Sequence, residues 1–482
     1  MKCTYSFSKT EQRDIENWDA RIRNLESLLI VPNRTWRQEQ PPQEVIYTSP
    51  QIEDYLFNQD HDELLQLAFD KIDQYYYFVS EDFLRFSAKQ FWPLRFIFYS
   101  AGAMFTTNIP FGITRIDMAN FYLDKALSFP FINEPTVLSV LTVSLSVLAV
   151  FRLQRPGGHD YLQLAINLAR TVGINSEVEI AKLTPFDYER ENYRRIWWFI
   201  YWMYSLSRRQ NEDIIQESDL KCFLPAHLTF HSKRDQYGLE IMSSPEWFTA
   251  SIPNLNLQAY RILLARIQVK INKFVHELLK KELNSALYVY GSIIGSLKEW
   301  YTVYQPIASK SKADIRANRN QDWMVLFNEL QYHHLYILAM FPLLLQDVIH
   351  RKKIQKKFYY KQGLEIALNN ANSLLLIIQF NPELKHINTY IANMILEPAI
   401  FLLISSKINP KKETQQALNI HLKILELHGK ALQREPLFLE MILYLTELSL
   451  ENIAILFGEF RANDSHLTLQ RPINLDFHKL KI

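Results

Sequence analysis

Glycine is scarce in this chain: 11 residues of 482. Gly-rich phosphate loops and two-residue hairpin turns both need Gly at positive φ. The shortage therefore argues against nucleotide-binding loops and β-sandwiches, and favours helices. Cysteine is scarcer still, with only Cys3 and Cys222. That excludes a disulfide framework and fits a reducing compartment. A charge excess is also lacking: 53 basic residues face 51 acidic ones, for a net of +2. Any attraction for nucleic acid or anionic lipid must then be local. No secretory signal opens the chain. Apolar runs stop short of a membrane span of about 20 residues, as in "TVLSVLTVSLSVLAVF" (136–151), which also holds five hydroxyl side chains. The stretch 387–406 is long enough but carries Asn393, Glu397 and Pro398. Both read as buried helices of a large bundle, with no membrane partner.

Catalytic patterns are missing too. There is no His-Glu-x-x-His, no Gly-x-Ser-x-Gly and no Walker loop. His333 and His334 adjoin, so on a helix they point about 100° apart and do not grip one ion. His421 and His428 are seven apart, where a helical metal pair prefers four. Cys222, next to Phe223 and Leu224, reads as a small buried hydrophobe. No catalytic residue can be named, and the chain does not read as an enzyme.

What is present is helical periodicity, and the fold class it predicts is all-α. Ile15, Trp18, Ile22, Leu25 and Leu29 are spaced 3, 4, 3, 4, an a/d seam over two heptads that Pro32 closes. It reads either as a helix packed on its own chain or as a short dimer coiled coil. Residues 33–80 form a Pro- and Gln-rich linker followed by a short helical region. Ser80 before Glu81 and Asp82 is a helix start. A helical hairpin follows, 136–153 and 160–172, turned at "QRPGGH" and stopped by Gly173. Thr184, Pro185 and Asp187 start a further helix, with Glu191 and Arg195 as an i,i+4 pair. In "YRRIWWFIYWMYS" (193–205) two arginines precede ten uncharged residues, six of them aromatic. A helix apolar on every side is a buried one. A long helix after Asn254 shows Tyr260, Leu264, Ile267, Ile271, Phe274 and Leu278 on one face. Pro306 and "SKSKADIRANRNQ" mark a loop near 305–321, and apolar helices fill 322–347, 362–380, 387–406, 414–433 and 436–459. The basic run "RKKIQKK" (351–357) reads as a solvated helix end or as an import or phosphate-facing patch.

Three stretches in order, "YLQLAINLARTVGIN" (161–175), "ERENYRRIWWFIYWMYSLS" (189–207) and "IIQESDLKCFLP" (214–225), resemble the middle homology domain of fungal zinc-cluster transcription factors. The signature residues are Arg194, Arg195, Trp197 and Trp198. The family's Gly-Arg-Pro-like step after the tryptophans is "SRRQNED" here. The resemblance covers roughly residues 85–300 and extends to the C-terminus by architecture. It implies a multi-helix regulatory domain over 81–462, a tail at 463–482, and a transcription factor acting in the nucleus through promoter DNA. "KCTY" resembles the end of a six-cysteine zinc cluster, with Cys3 as a metal ligand only where an upstream cluster exists. Residues 1–32 are then the end of the cluster's linker plus the dimerisation helix built on Ile15 to Leu29, pairing with itself or with relatives. One thiolate cannot hold two zinc ions, so the chain as given is expected to bind none: either Met1 is an internal start or the DNA reader is lost. The alternative is a DNA-free helical sensor or interaction protein that dimerises with full-length relatives. Within the signature helix, the resemblance implies arginines paired to acidic groups of neighbouring helices and tryptophans in the core. The other reading is a pocket for a small-molecule effector lined by Trp198, Tyr201 and Trp202.

Overall fold

In a computed structural model of the chain, the described residues are 61–71, 79–109, 113–131, 135–153, 155–206, 214–225, 257–280, 286–319, 323–350, 352–381, 391–431 and 437–454. Among them the architecture is all-α, with no strand. The helices are α1 His61–Lys71, α2 Glu81–Gln90, α3 Trp92–Ala103, α4 Arg115–Leu127, α5 Val137–Arg152, α6 Gly158–Val172, α7 Glu177–Leu183, α8 Asp187–Leu206, α9 Leu257–Lys280, α10 Ala286–Arg316, α11 Trp323–Ile349, α12 Phe358–Phe380, α13 Ile391–Ile408, α14 Lys412–Ala431 and α15 Leu437–Glu447. Short 3-10 turns occupy Glu217–Asp219 and Ile354–Lys356. Described residues from Asp62 onward belong to one compact unit. The heptad helix on Ile15 to Leu29, Cys3, the "SRRQNED" step and the tail at 463–482 lie outside the described residues.

Successive helices pack as neighbours: α3 with α4, α5 with α6, α11 with α12, α13 with α14. Two helices are hubs. Helix α8 touches α5, α6, α7 and α9, and α11 touches α9, α10, α12 and α13. Almost every residue of α11 from Trp323 to Val348 is buried, as expected of a helix apolar all round. The hydroxyl-rich run of α5 is buried without orphan donors. Thr142 donates to Leu138 O at 2.7 Å, Ser144 to Val140 O at 2.7 Å and Ser146 to Thr142 O at 2.8 Å. Each hydroxyl uses a carbonyl one turn back, which leaves the helix surface effectively apolar. No described helix is long and apolar enough to cross a membrane.

Local signals placed several ends correctly. Ser80 Oγ accepts from Phe83 N at 3.4 Å, and Gly173 closes α6 in the left-handed region at φ 88°. One signal misled. Pro306 sits inside α10, and the polar run after it continues the helix to Arg316, ended by Asn318 at φ 53°. A proline in a helix interior loses one hydrogen bond and crowds the preceding turn. Here that cost is offset by burial of Ala308 and Ile315 beyond it, on a helix that packs along α11. Tertiary packing overrode the local breaker. Pro342 and Pro398 are likewise inside helices.

Glycine replacements separate two roles. At Gly102 an added Cβ meets Leu64 O at 2.0 Å, so α1 and α3 touch backbone to backbone there. At Gly291 and Gly295, within α10, nothing lies within 4 Å. Gly102→Ala is expected to destabilise by about 1–3 kcal/mol through overpacking. Gly291→Ala and Gly295→Ala should each stabilise by about 0.5–1 kcal/mol through helix propensity. Urea unfolding of the three variants checks the signs, and a neutral Gly102→Ala would refute the close approach.

Candidate functional site

The signature residues sit on α8, where four segments converge. Its N-terminal half reaches α2: Asn192 Oδ1 accepts from Ser80 N and from Ser80 Oγ, each at 3.0 Å. Thr184, just before α8, accepts from Phe186 N at 3.2 Å and donates to Glu189 Oε2, as a start signal should.

The arginines are buried and fully engaged. Arg194 donates to Glu177 through Nε at 2.8 Å and through Nη2, a two-pronged pair, and through Nη1 to Glu191 at 3.1 Å. Arg195 donates through Nε to Glu191 Oε1 at 2.7 Å and through Nη1 to Gln258 Oε1 at 2.7 Å. Glu191 thus bridges both guanidinium groups, and Glu177 reaches over from α7. Burial opposes the Arg194 charge, but Glu177 and Glu191 together raise its pKa above the ordinary value. Removing one member of such a buried set leaves an uncompensated charge, at a cost of about 3–5 kcal/mol.

Gly173 makes this placement possible. Gly173 N and Ile174 N both donate to Ala169 O, at 2.9 and 3.0 Å, which turns the chain sharply into α7. A Cβ on Gly173 would lie 2.8 Å from Glu179 Cβ. The chain then pairs with the segment 214–225. Ser176 forms a parallel bridge with Lys221, and Glu177 N donates to Lys221 O at 3.1 Å. Cys222 Sγ donates to Ile174 O at 3.2 Å. Burial pushes that thiol well above its ordinary value, with Glu177 adding to the shift, so Cys222 behaves as an inert core residue. Arg170 holds Asp219 through Nε at 3.2 Å and Nη2 at 2.7 Å. Burial works against the Asp219 charge, but Arg170 and the Gln216 amide hold the carboxyl below its usual value. Leu224 and Pro225, after them, are buried.

The tryptophans fill the core. Trp197, Trp198 and Trp202 are each 0% exposed. Trp198 Nε1 donates to Phe223 O at 2.7 Å, while the Trp197 N–H finds no acceptor among the described residues. Trp198 meets Tyr201 edge-on at 5.6 Å, Trp202 stacks on Phe199 at 6.2 Å, and the Arg261 guanidinium lies 4.9 Å from the Trp202 ring. These aromatics are packed against protein on every side. A small cleft does exist, between α3 and α5, lined by Ile97, Phe98, Leu145, Leu148 and Arg152 among others. None of the three effector-pocket aromatics borders it.

A second polar cluster is centred on α11, and the sequence pattern did not reveal it. Glu329 is paired with Lys312 at 2.6 Å and accepts from Ser373 at 2.9 Å and Tyr301 at 3.2 Å. Burial opposes the Glu329 charge, but His333 and Lys312, with hydrogen bonds from Lys312 and Ser373, hold it below its ordinary value. His334 Nδ1 lies 3.0 Å from Glu397 Oε2, both fully buried. His421 contacts Ala417 O at 2.8 Å through Nδ1 and Asn370 Oδ1 at 2.9 Å through Nε2. Burial lowers His333 and His421 to about 4, so both are neutral at ordinary pH. Among the described residues no group of three or more His, Cys, Asp or Glu is placed to hold a metal ion.

Comparison with known families places residues 104–334 under the model of the fungal specific transcription factor domain. That span includes Arg194, Arg195, Trp197 and Trp198 and ends within α11. No curated protein matches the chain.

Two measurements test this geometry. Trp198→Phe deprives Phe223 O of its donor, whereas Trp197→Phe removes an N–H with no acceptor. Urea unfolding should show the first variant less stable than the second by about 1–2 kcal/mol; equal losses would sink the Trp198 staple. For pH, His333 and His421 stay neutral in the fold but are protonated in the unfolded chain below their ordinary 6.5. Stability is therefore full above about pH 6.5 and falls as pH drops toward 4, by on the order of 3 kcal/mol per histidine. Asp219, held low, adds its loss only as pH falls below its ordinary 3.8. Unfolding midpoints that stay flat between pH 7 and 5, or a slope unchanged by His421→Gln, would contradict this.

Proposed function

With a fungal specific transcription factor domain at its centre, we propose that this chain is the regulatory and dimerising part of a nuclear regulator of RNA polymerase II transcription. The observation that carries the reading is the family match over the helices that α8 gathers together. The packing is in keeping with it: Arg194 and Arg195 are held inside the helical body by Glu177 and Glu191.

In this reading, where an upstream zinc cluster exists it reads promoter DNA with Cys3 as its last ligand, and the seam of Ile15, Trp18, Ile22, Leu25 and Leu29 joins two chains. Zinc belongs to that cluster and not to the helical body. The domain's contribution is then to hold or release whatever contacts the transcription machinery.

The test is to tether the full chain to a reporter promoter through an unrelated monomeric DNA-binding domain in a fungal cell. Reporter output should change several-fold relative to the tether alone. Leu25→Asp should abolish dimer sedimentation and reduce that change. Unaltered output in both directions, with the chain excluded from the nucleus, would sink the proposal.

A further inference from the structure

The basic run at 351–357 is not a free helix end. Ile354 is buried, and the 3-10 turn Ile354–Lys356 packs against both α11 and α12. Gln355 Nε2 donates to Ile408 O at 3.0 Å, 53 residues further along the chain. Ile408 is the last residue of α13, and Lys411 and Lys412 lead into α14. That single hydrogen bond brings two basic segments side by side. Lys352, Lys353, Lys357 and Lys361 are exposed on the first, and Lys407, Lys411 and Lys412 on the second.

Little opposes this charge. Within 347–361 and 405–413 the carboxylates are Asp347 and Glu413. Asp347 is mostly buried and shared: Lys352 is 3.1 Å away, Lys357 is 3.9 Å away, and the Tyr359 hydroxyl donates to it. Seven lysines thus stand against Asp347 and Glu413, with Glu365 one turn beyond Lys361 and with Lys407 Nζ donating to Thr446 O at 2.8 Å, in a chain whose net charge is only +2. An import signal reading needs an extended, releasable peptide, whereas this run is anchored at Ile354 and Gln355. A solvated helix end would account for one run but not for the apposition of two.

We propose that this surface binds the phosphate backbone of duplex DNA without reading its sequence. Lysine ammonium groups are compact point donors suited to phosphate oxygens, and they carry no planar fork for base edges. Duplex DNA offers a negative charge about every 1.7 Å of axis, so lysines spread over two segments engage several phosphates together. The choice of DNA over an acidic protein rests on the transcriptional role proposed above. The surface adds affinity and holds the helical body close to a duplex selected by other means.

The experiment uses the full chain and short labelled duplexes of two unrelated sequences, with binding followed by anisotropy across a salt series. Both duplexes should bind alike, and contact with about five phosphates gives a slope of log K against log salt near −4.5. The quadruple variant Lys353→Glu, Lys357→Glu, Lys411→Glu, Lys412→Glu should bind at least tenfold more weakly while keeping its helical circular dichroism. A control with the same net charge, Lys89→Glu, Lys182→Glu, Lys270→Glu, Lys310→Glu, should retain most of the affinity. Equal losses in the two variants, salt-insensitive binding, or stronger capture of polyglutamate than of duplex would each overturn the proposal. The tethered reporter supplies its own DNA attachment, so it can succeed while this surface fails; the two failures are separable.

Discussion

Two guanidinium groups at one end of a helix that is otherwise apolar set the terms for the first half of this molecule. Arg194 and Arg195 are buried on α8 and cannot be left in the core without anions. Glu191 sits one turn away and serves both, but it does not saturate them. The remaining donors of Arg194 are met by Glu177, so α7 must lie alongside, and those of Arg195 by Gln258, so α9 must begin there. The position of three helices follows from satisfying two cations. The tight turn at Gly173 and the bridge from Ser176 to Lys221 are the backbone geometry that delivers Glu177 to its place.

The second half solves the same problem differently. Helix α11 is surrounded on all sides, yet it carries Asn328, Glu329, Gln331, His333 and His334 in its buried surface. Glu329 is ionised and matched by Lys312 of α10, whose side chain is 20% exposed. His333 is instead kept neutral by burial, as is His421 on α14. The first half thus folds around paired charges, and the second around one such pair together with suppressed histidines, which adds a sensitivity to mild acid there.

Much of the helical plan was legible because its signals are local. The all-α class followed from periodicity, and Gly173, Ser80 and the Glu191–Arg195 pair each act within one turn of their own position. Trp197 and Trp198 read as core because no face of their helix was polar. Partners drawn from distant segments were not legible. Nothing in the spacing of Glu177 marks it as the second anion for Arg194, and Phe223 contributes a carbonyl to Trp198, which no side-chain pattern can announce. Pro306 failed as a breaker for the same reason: the burial that tolerates it lies on another helix. The α11 cluster escaped because its histidines are isolated by spacing and joined only by packing with α10, α12, α13 and α14.

The pairing of Ser176 with Lys221, and of Arg195 with Gln258, also bears on synthesis. A nascent chain emerges from the ribosome N-terminus first, so α8 is complete well before either of its late partners exists. For that interval the three tryptophans have α5, α6 and α7 against them but lack the α9 side of their core, and Arg195 lacks Gln258. Chains arrested short of residue 258 would therefore be strong clients for chaperones, and release from them would coincide with the arrival of α9.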